Sequence, residues 1–274
     1  FWDQSLASMF VDLTAWPAAT YCKVIRSYAQ YLIALGITDA RGDLPYMVKW
    51  SNEADAGALP TTWNPAHQTQ SAGEYNLSDG QYIIIYGIKL RDSFMIYKES
   101  SIWRMDKIGG NFIFSFRQVL GTSGAMNRNC IVEIDGFHCV LTGSDVILHD
   151  GQQPVSVLDK LARRHLFQNI DVSAKPKCFL FKNPFLNEVY VCFPSIGSPV
   201  CDRALVFNYK DRTVTFREMP NLNHADVGLV DNTLGSAWDT DVDQWDSDLT
   251  LWNGPDYTPD TQRVIMGSAN VKLF

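Results

Sequence analysis

No apolar run in this chain approaches the length of a bilayer span, and no signal peptide is visible behind the opening FWDQSLASMF. Neither a G-x-x-x-x-G-K-[ST] nor a G-x-G-x-x-G loop occurs, which removes the usual backbone cradles for nucleotide phosphates. The histidines are His67, His138, His149, His165 and His224. No two of them stand at a metal-binding spacing such as H-E-x-x-H, and all five are read as structural. His149 followed by Asp150 resembles the orienting pair of a catalytic site. No serine sits in a G-x-S-x-G setting, however, so the pair is read as part of a turn. Positive charge is in short supply: 23 Lys and Arg stand against 30 Asp and Glu, a net charge of −7. That balance is wrong for gripping nucleic acid through its phosphates, though a like-charged wall lets nucleic acid slide past. Arg163-Arg164 is one basic spot, too little for recognition.

Six cysteines are present, Cys22, Cys130, Cys139, Cys178, Cys192 and Cys201, and none forms a close Cys-x-x-Cys pair. Most lie inside apolar stretches, where a thiol behaves as a small hydrophobe. They are read as reduced, in a protein made in cytoplasm. If any two were bridged, Cys192 and Cys201 would be the leading pair, because they flank the PSIGSPV loop. The missing initial Met and the end at Val271–Phe274 read as an excerpt or a processed chain.

What the chain does have is β-forming sequence. Aromatics make up 12%, with eight Trp, enough ring surface to fill a sizeable core. Residues Leu77–Val119 carry four runs rich in β-branched and aromatic residues: Tyr82–Tyr86, Phe94–Tyr97, Ile102–Met105 and Phe112–Phe116. Polar, Ser-bearing or Gly-Gly separators stand between them. Short strands joined by short turns predict an up-and-down antiparallel sheet, and four such strands make one propeller blade. A second set follows at Cys130–Ile134, Phe137–Leu141, Asp145–Leu148 and Gln153–Val155, with Asp135-Gly136 as a hairpin signal. A third lies at Lys177–Phe181, Glu188–Phe193, Ala204–Asn208 and Thr213–Arg217. Each spans about forty residues, the spacing of blades.

Residues 21–51, with a turn near Ala29–Gln30 and a last run at Tyr46–Ser51, read as an incomplete fourth unit, and Arg263–Phe274 as the start of a fifth. The first 20 residues are apolar but aperiodic, a short helix or a broken strand. One short helix is expected around Leu158–Leu166, with Ser156 as N-cap. Residues 52–76 and 220–262 read as long loop insertions, the first anchored by Trp63 and Pro65. The whole is an all-β, propeller-type domain over 1–274, incomplete at both ends, with blade-like units at about 21–51, 77–119, 128–156 and 175–218.

Two features carry local chemistry. Asp239, Asp241, Asp243, Asp246 and Asp248 lie between Trp238, Trp245 and Trp252. Alternate carboxylates can converge on a calcium ion, but Gln244 and Thr250 occupy the positions where an EF-hand needs Gly and Glu. The cluster is read as a solvated acidic loop, with calcium at Asp239, Asp241 and Asp243 as the alternative. Carboxylates for glycoside hydrolysis could stand among the thirty acids, yet the S-x-D-x-G-x-T-W box of propeller hydrolases is not repeated here. No catalytic residue and no cofactor is assigned.

A series of short stretches carries a resemblance: VKWSN at Val48–Asn52, PTTWN at Pro60–Asn64, SFMIYKESSIWRM at Ser93–Met105, IGGNFIFSF at Ile108–Phe116, DVILHDG at Asp145–Gly151, NEVYVCF at Asn187–Phe193 and ALVFNY at Ala204–Tyr209. In this order and spacing, over roughly residues 20–220, they resemble the tail nozzle proteins of short-tailed bacteriophages, also called tail tubular protein B. The resemblance implies a non-enzymatic structural protein of the virion tail. Such nozzles are homohexameric β-propeller rings below a tail adaptor under the portal. Double-stranded DNA leaves through the bore, tail fibres attach outside, and no membrane contact is implied. A compact tail hub that plugs the channel is a related form. A sixfold ring needs a closing head-to-tail interface, for which Trp63, Trp238, Trp245 and Trp252 are the candidate anchors. The rival reading is a glycan-binding or glycan-hydrolysing propeller, with loop Trp such as Trp63 or Trp252 stacking on sugar rings.

Overall fold

The computed structural model describes residues 13, 15–55, 57–66, 69–78, 82–110, 112–229 and 262–268. Strands dominate it, and the chain divides into two compact units, Phe1–Gln168 and Asn169–Phe274.

The first unit holds three antiparallel sheets of four strands, each built in chain order. The first comprises β1 (Tyr21–Tyr28), β2 (Tyr31–Asp39), β3 (Gly42–Trp50) and β4 (Gly73–Asn76). The second comprises β5 (Ile84–Leu90), β6 (Ser93–Lys98), β7 (Ile102–Lys107) and β8 (Phe114–Leu120). The third comprises β9 (Ile131–Ile134), β10 (Phe137–Leu141), β11 (Val146–His149) and β12 (Pro154–Ser156). Two tight hairpins have the backbone their strand twist demands. Ala29 and Gln30 between β1 and β2, and Asp135 and Gly136 between β9 and β10, all have positive φ. That is the geometry of a type I′ turn, whose twist matches that of the flanking strands.

The three sheets stack through their faces. β6 is buried along its whole length because its period-2 alternation serves two neighbours. Phe94 and Ile96 pack with Tyr28, Tyr31, Ile33, Leu35 and Val48 of the first sheet. Met95 and Tyr97 pack with Ile131, Val140 and Ile147 of the third. The approach of the first two sheets is close at Gly87 of β5. A Cβ there would lie 2.5 Å from Leu35 and 2.7 Å from the Phe94 ring, so only glycine fits.

The first sheet corrects the sequence reading of residues 21–51 as incomplete. Its fourth strand arrives from beyond the loop, where Gly73 pairs with Trp50 and Tyr75 with Val48. Gly73 leaves room for the Trp50 indole, which a Cβ would meet at 2.3 Å. The four-residue GEYN strand has no apolar run to announce it.

The helix also differs from expectation. α1 covers Lys160–Asn169, and its N-terminus is capped by Asp159, whose Oδ1 accepts from the Ala162 N–H at 2.6 Å. Ser156 is instead the last residue of β12.

In the second unit a 3-10 helix (Val172–Lys177) leads into one five-stranded antiparallel sheet. Its strands are β13 (Phe179–Asn183), β14 (Glu188–Phe193), β15 (Cys201–Asn208), β16 (Thr213–Leu229) and β17 (Gln262–Ser268). Two expectations are overturned here. β16 runs straight through Pro220, so residues 220–229 are strand and not loop. Residues 262–268 return as the edge strand of this same sheet, pairing from Leu229↔Gln262 to Leu222↔Ser268, and do not begin a fifth unit. One face of the sheet gathers Phe179, Phe181, Tyr190, Cys192, Ala204, Val206 and Leu222. No disulfide joins any of the six cysteines. Cys192 pairs with Ala204 and Cys201 with Leu222, so the two are not cross-strand partners, and the Cys201 thiol donates to the Lys177 carbonyl at 3.3 Å.

Candidate functional site

Two places in the first unit bring polar side chains together against an apolar background. One is the strap that leaves β3 and returns as β4. Asn52 fastens it: its Oδ1 accepts from the Ser71 N–H and hydroxyl, both at 2.9 Å. The Trp50 indole N–H donates to the Ser71 carbonyl at 2.8 Å, and the Glu53 N–H donates to the Ser71 hydroxyl at 3.2 Å. Around these bonds lies an open depression of about 650 Å³, lined by Gln30, Asn52, Glu53, Ala54, Asp55, Thr69 and Ser71. Its Glu53 carboxylate is matched by Lys107 at 2.8 Å. The Ser71 oxygen is held by an amide and an N–H, with no base bonded to it among the described residues. Among the described residues the depression therefore offers hydrogen bonds and one carboxylate, Asp55, but no assembled nucleophile.

The second place is inside the stack of sheets. Tyr97 on β6 is fully buried and its hydroxyl lies 2.6 Å from His138 Nδ1 and 2.8 Å from His149 Nε2. The two histidines face each other across the third sheet, His138 on β10 opposite His149 on β11. Their outer nitrogens fix every proton. The Gly151 N–H donates to His149 Nδ1 at 3.2 Å, so the proton of that ring is on Nε2 and points at Tyr97. His138 Nε2 lies 3.2 Å from the Lys89 carbonyl, an acceptor only, so it carries the hydrogen and its Nδ1 accepts from the Tyr97 O–H. The chain runs in one direction from Gly151 through His149, Tyr97 and His138 to Lys89, with each group satisfied and both rings neutral. Burial holds the rings there. Desolvation lowers His138 to about 3, with His149 adding to the fall, and lowers His149 to about 4. Burial likewise pushes the Tyr97 hydroxyl well up.

Asp150 takes no part in orienting His149. Its Oδ1 accepts from the Gln152 and Gln153 N–H groups at 2.9 and 3.1 Å, which is the turn the sequence suggested. His165 and His224 are exposed, on α1 and β16. His67 lies outside the described residues. Lys98, at the end of β6, is also fully buried: its Nζ donates to the Leu77 carbonyl at 2.9 Å and lies 5.2 Å from the Tyr46 ring centre. Nothing in the run YKESS separates this lysine from a solvated one, and its burial is a property of the stack.

Of the Trp anchors, Trp63 is placed. It is fully buried, edge-on to Trp16 at 4.7 Å between ring centres, against Ala34, Ile37 and Met47 of the first sheet. The ring pins its own loop, as Pro60–Asn64 must do to cover that face, and leaves nothing for a sugar or a neighbouring subunit. Its role as an interface anchor is corrected accordingly. Trp238, Trp245 and Trp252 lie outside the described residues, as do Asp239, Asp241, Asp243, Asp246 and Asp248. Among the described residues no three His, Cys, Asp or Glu side chains converge to hold a metal ion, and no helix is long and apolar enough to cross a membrane.

No family model matches the chain, and no curated protein matches it significantly.

Proposed function

We propose that this chain is a structural component of a bacteriophage tail, a propeller-type subunit of the ring-shaped nozzle through which the viral genome leaves. The observation that carries the reading is the succession of four-stranded antiparallel sheets, each in chain order, stacked face on face through β6. Stacked meanders of this kind are how propeller blades bury their faces. The stretches that resemble the nozzle family fall on this frame. SFMIYKESSIWRM is β6 with β7, the end of IGGNFIFSF opens β8 at Phe114, and DVILHDG is β11 with its turn. In the five-stranded sheet of the second unit, NEVYVCF is β14 with the residue before it, and ALVFNY is the end of β15 with the residue after it. The buried polar groups support a structural role too, since Tyr97, His138 and His149 are spent on one another. Six copies would close a ring by a head-to-tail interface, beneath a tail adaptor and bearing tail fibres, with the acidic surface letting DNA pass. The ring forms in the host cytoplasm and ends in the virion.

Electron microscopy of the purified chain, alone and mixed with its tail adaptor, tests this. Sixfold rings are the expected result. A chain that stays monomeric at high concentration with the adaptor present overturns the reading.

A further inference from the structure

We propose that the Tyr97–His138–His149 contact is an acid-operated joint, which holds the third sheet on the second at neutral pH and loosens it when the imidazoles are protonated. The geometry supports this because no ring nitrogen has room for a second proton. A proton on His149 Nδ1 would face the Gly151 N–H, donor against donor. A proton on His138 Nδ1 would leave the Tyr97 oxygen between two N–H donors, with its own hydrogen aimed at neither.

The charge of Asp150 favours a proton on His149, but burial outweighs it. Asp150, after β11, is committed to the N–H groups of its turn. Glu133, opposite His138 on β9, is exposed, as are Lys89 on β5 and Arg91 beyond it. Tyr86, beside Tyr97 on β5, accepts from Arg26, and Arg104, opposite Met95 on β7, is bound to Asp106 at 2.8 Å. The Cys139 thiol beside Tyr97 is pushed up to about 12 by burial and offers no charge. Once the joint parts, water solvates both imidazolium ions and the cost is relieved.

The sign follows from linkage. Each ring titrates at 6.5 when free, but near 3 for His138 and near 4 for His149 in the closed joint. The closed form therefore holds fewer protons than the open one below 6.5, and acid favours opening. With two protons taken up, the open fraction rises by up to about a hundredfold per pH unit until His149 begins to titrate in place.

The test is thiol labelling of the full chain with 4,4′-dithiodipyridine, which reacts in acid, at about pH 7.5, about pH 6 and about pH 5. Each cysteine is read by peptide mass spectrometry and its rate divided by that in the urea-unfolded chain at the same pH. Cys130 and Cys139, buried in and beside the third sheet, are expected to gain reactivity steeply between about pH 6 and about pH 5. Cys178, Cys192 and Cys201 of the second unit are expected to stay flat. A Cys139 rate that ignores pH, or that rises in one step with the second unit's thiols, overturns the proposal. His149→Gln should halve the proton uptake, to about tenfold per pH unit, and an unchanged slope also overturns it. If that variant folds poorly, the wild-type profile decides alone.

Discussion

The second sheet meets its neighbours through two interfaces of opposite character. Toward the first sheet it presents rings and branched aliphatics. Phe94 tilts against Tyr28 at 5.5 Å between ring centres, and Phe114 meets Tyr31 and Trp50 edge-on at 5.1 and 5.3 Å. Its buried polar groups reach outward to carbonyls: the Tyr28 hydroxyl donates to Asp92, and Lys98 Nζ donates to Leu77. Toward the third sheet the same strand places Tyr97 between two histidines in the interior. An apolar face grips any face that fits it, whereas a one-way chain of hydrogen bonds is satisfied in one register. The first interface supplies adhesion, and the second supplies adhesion together with alignment and a dependence on pH.

The largest effect should come from cutting the apolar interface. Phe94→Ala removes a fully buried ring from between Leu35, Tyr28 and Gly87, where the close sheet approach leaves little freedom to collapse. A loss of about 3–5 kcal/mol is expected in urea unfolding followed by circular dichroism. This loss should be the same at pH 7 and in mild acid, since nothing in that interface titrates there. A loss below about 1 kcal/mol would mean that the two sheets are held elsewhere.

The contrast between the interfaces was only half legible in the sequence. Runs such as FMIY and IWRM declare strands through β-branched and aromatic residues at period two, and Asp135-Gly136 declares a hairpin. What they do not declare is which neighbour each face meets. His138 and His149 lie in separate strands, and Tyr97 lies 41 residues before the first and 52 before the second; their meeting needs the register of two sheets and the stacking of one on the other. A hydrogen-bonded strand role for His138 was readable from its apolar neighbours, but its partner was not. The same limit hid β4, a four-residue strand with a glycine, and β17, whose partner lies more than thirty residues upstream. Pro220 misled for a different reason. Proline is tolerated in a strand where the ladder bond it would donate is not needed, and here the register of β16 shifts beside it, between Arg203↔Glu218 and Cys201↔Leu222.

A smaller effect is expected from Tyr97→Phe, which keeps the ring and deletes the hydroxyl. His138 Nδ1 then loses its donor and His149 Nε2–H its acceptor, among fully buried side chains. The cost should be about 1–3 kcal/mol near neutral pH, by urea unfolding. It sharpens the comparison because the volume of the interface scarcely changes, so the loss isolates the polar part. Equal stability of variant and wild type would show that the histidines find other partners.

The smallest effect belongs to the ion pairs on the β4 edge of the first sheet, where Tyr75 also stacks on Phe116 of the second sheet at 4.4 Å. Arg41, in the β2–β3 turn, meets Asp39 at 2.7 Å and Glu74 of β4 at 2.6 Å, and Lys49 meets Glu74 at 3.2 Å. These pairs tie the short β4 to its sheet, and hydrogen bonds from Arg41 hold both carboxyls below their ordinary values of 3.8 and 4.5. Arg41 is half exposed, so water screens most of the attraction. Arg41→Ala should cost only about 0.5–1 kcal/mol, less in high salt. Its pH dependence separates it from the joint. Lowered carboxyls lend stability that is complete above their ordinary values and disappears as pH falls through the lowered ones, whereas the histidine joint weakens from 6.5 downward. Hydrogen exchange at Gly73–Asn76 reads the edge directly: the variant should exchange faster there at neutral pH, with β6 and β10 unchanged. Exchange that also accelerates in β10 would mean that the edge and the joint open as one, and the two regions could no longer be argued separately.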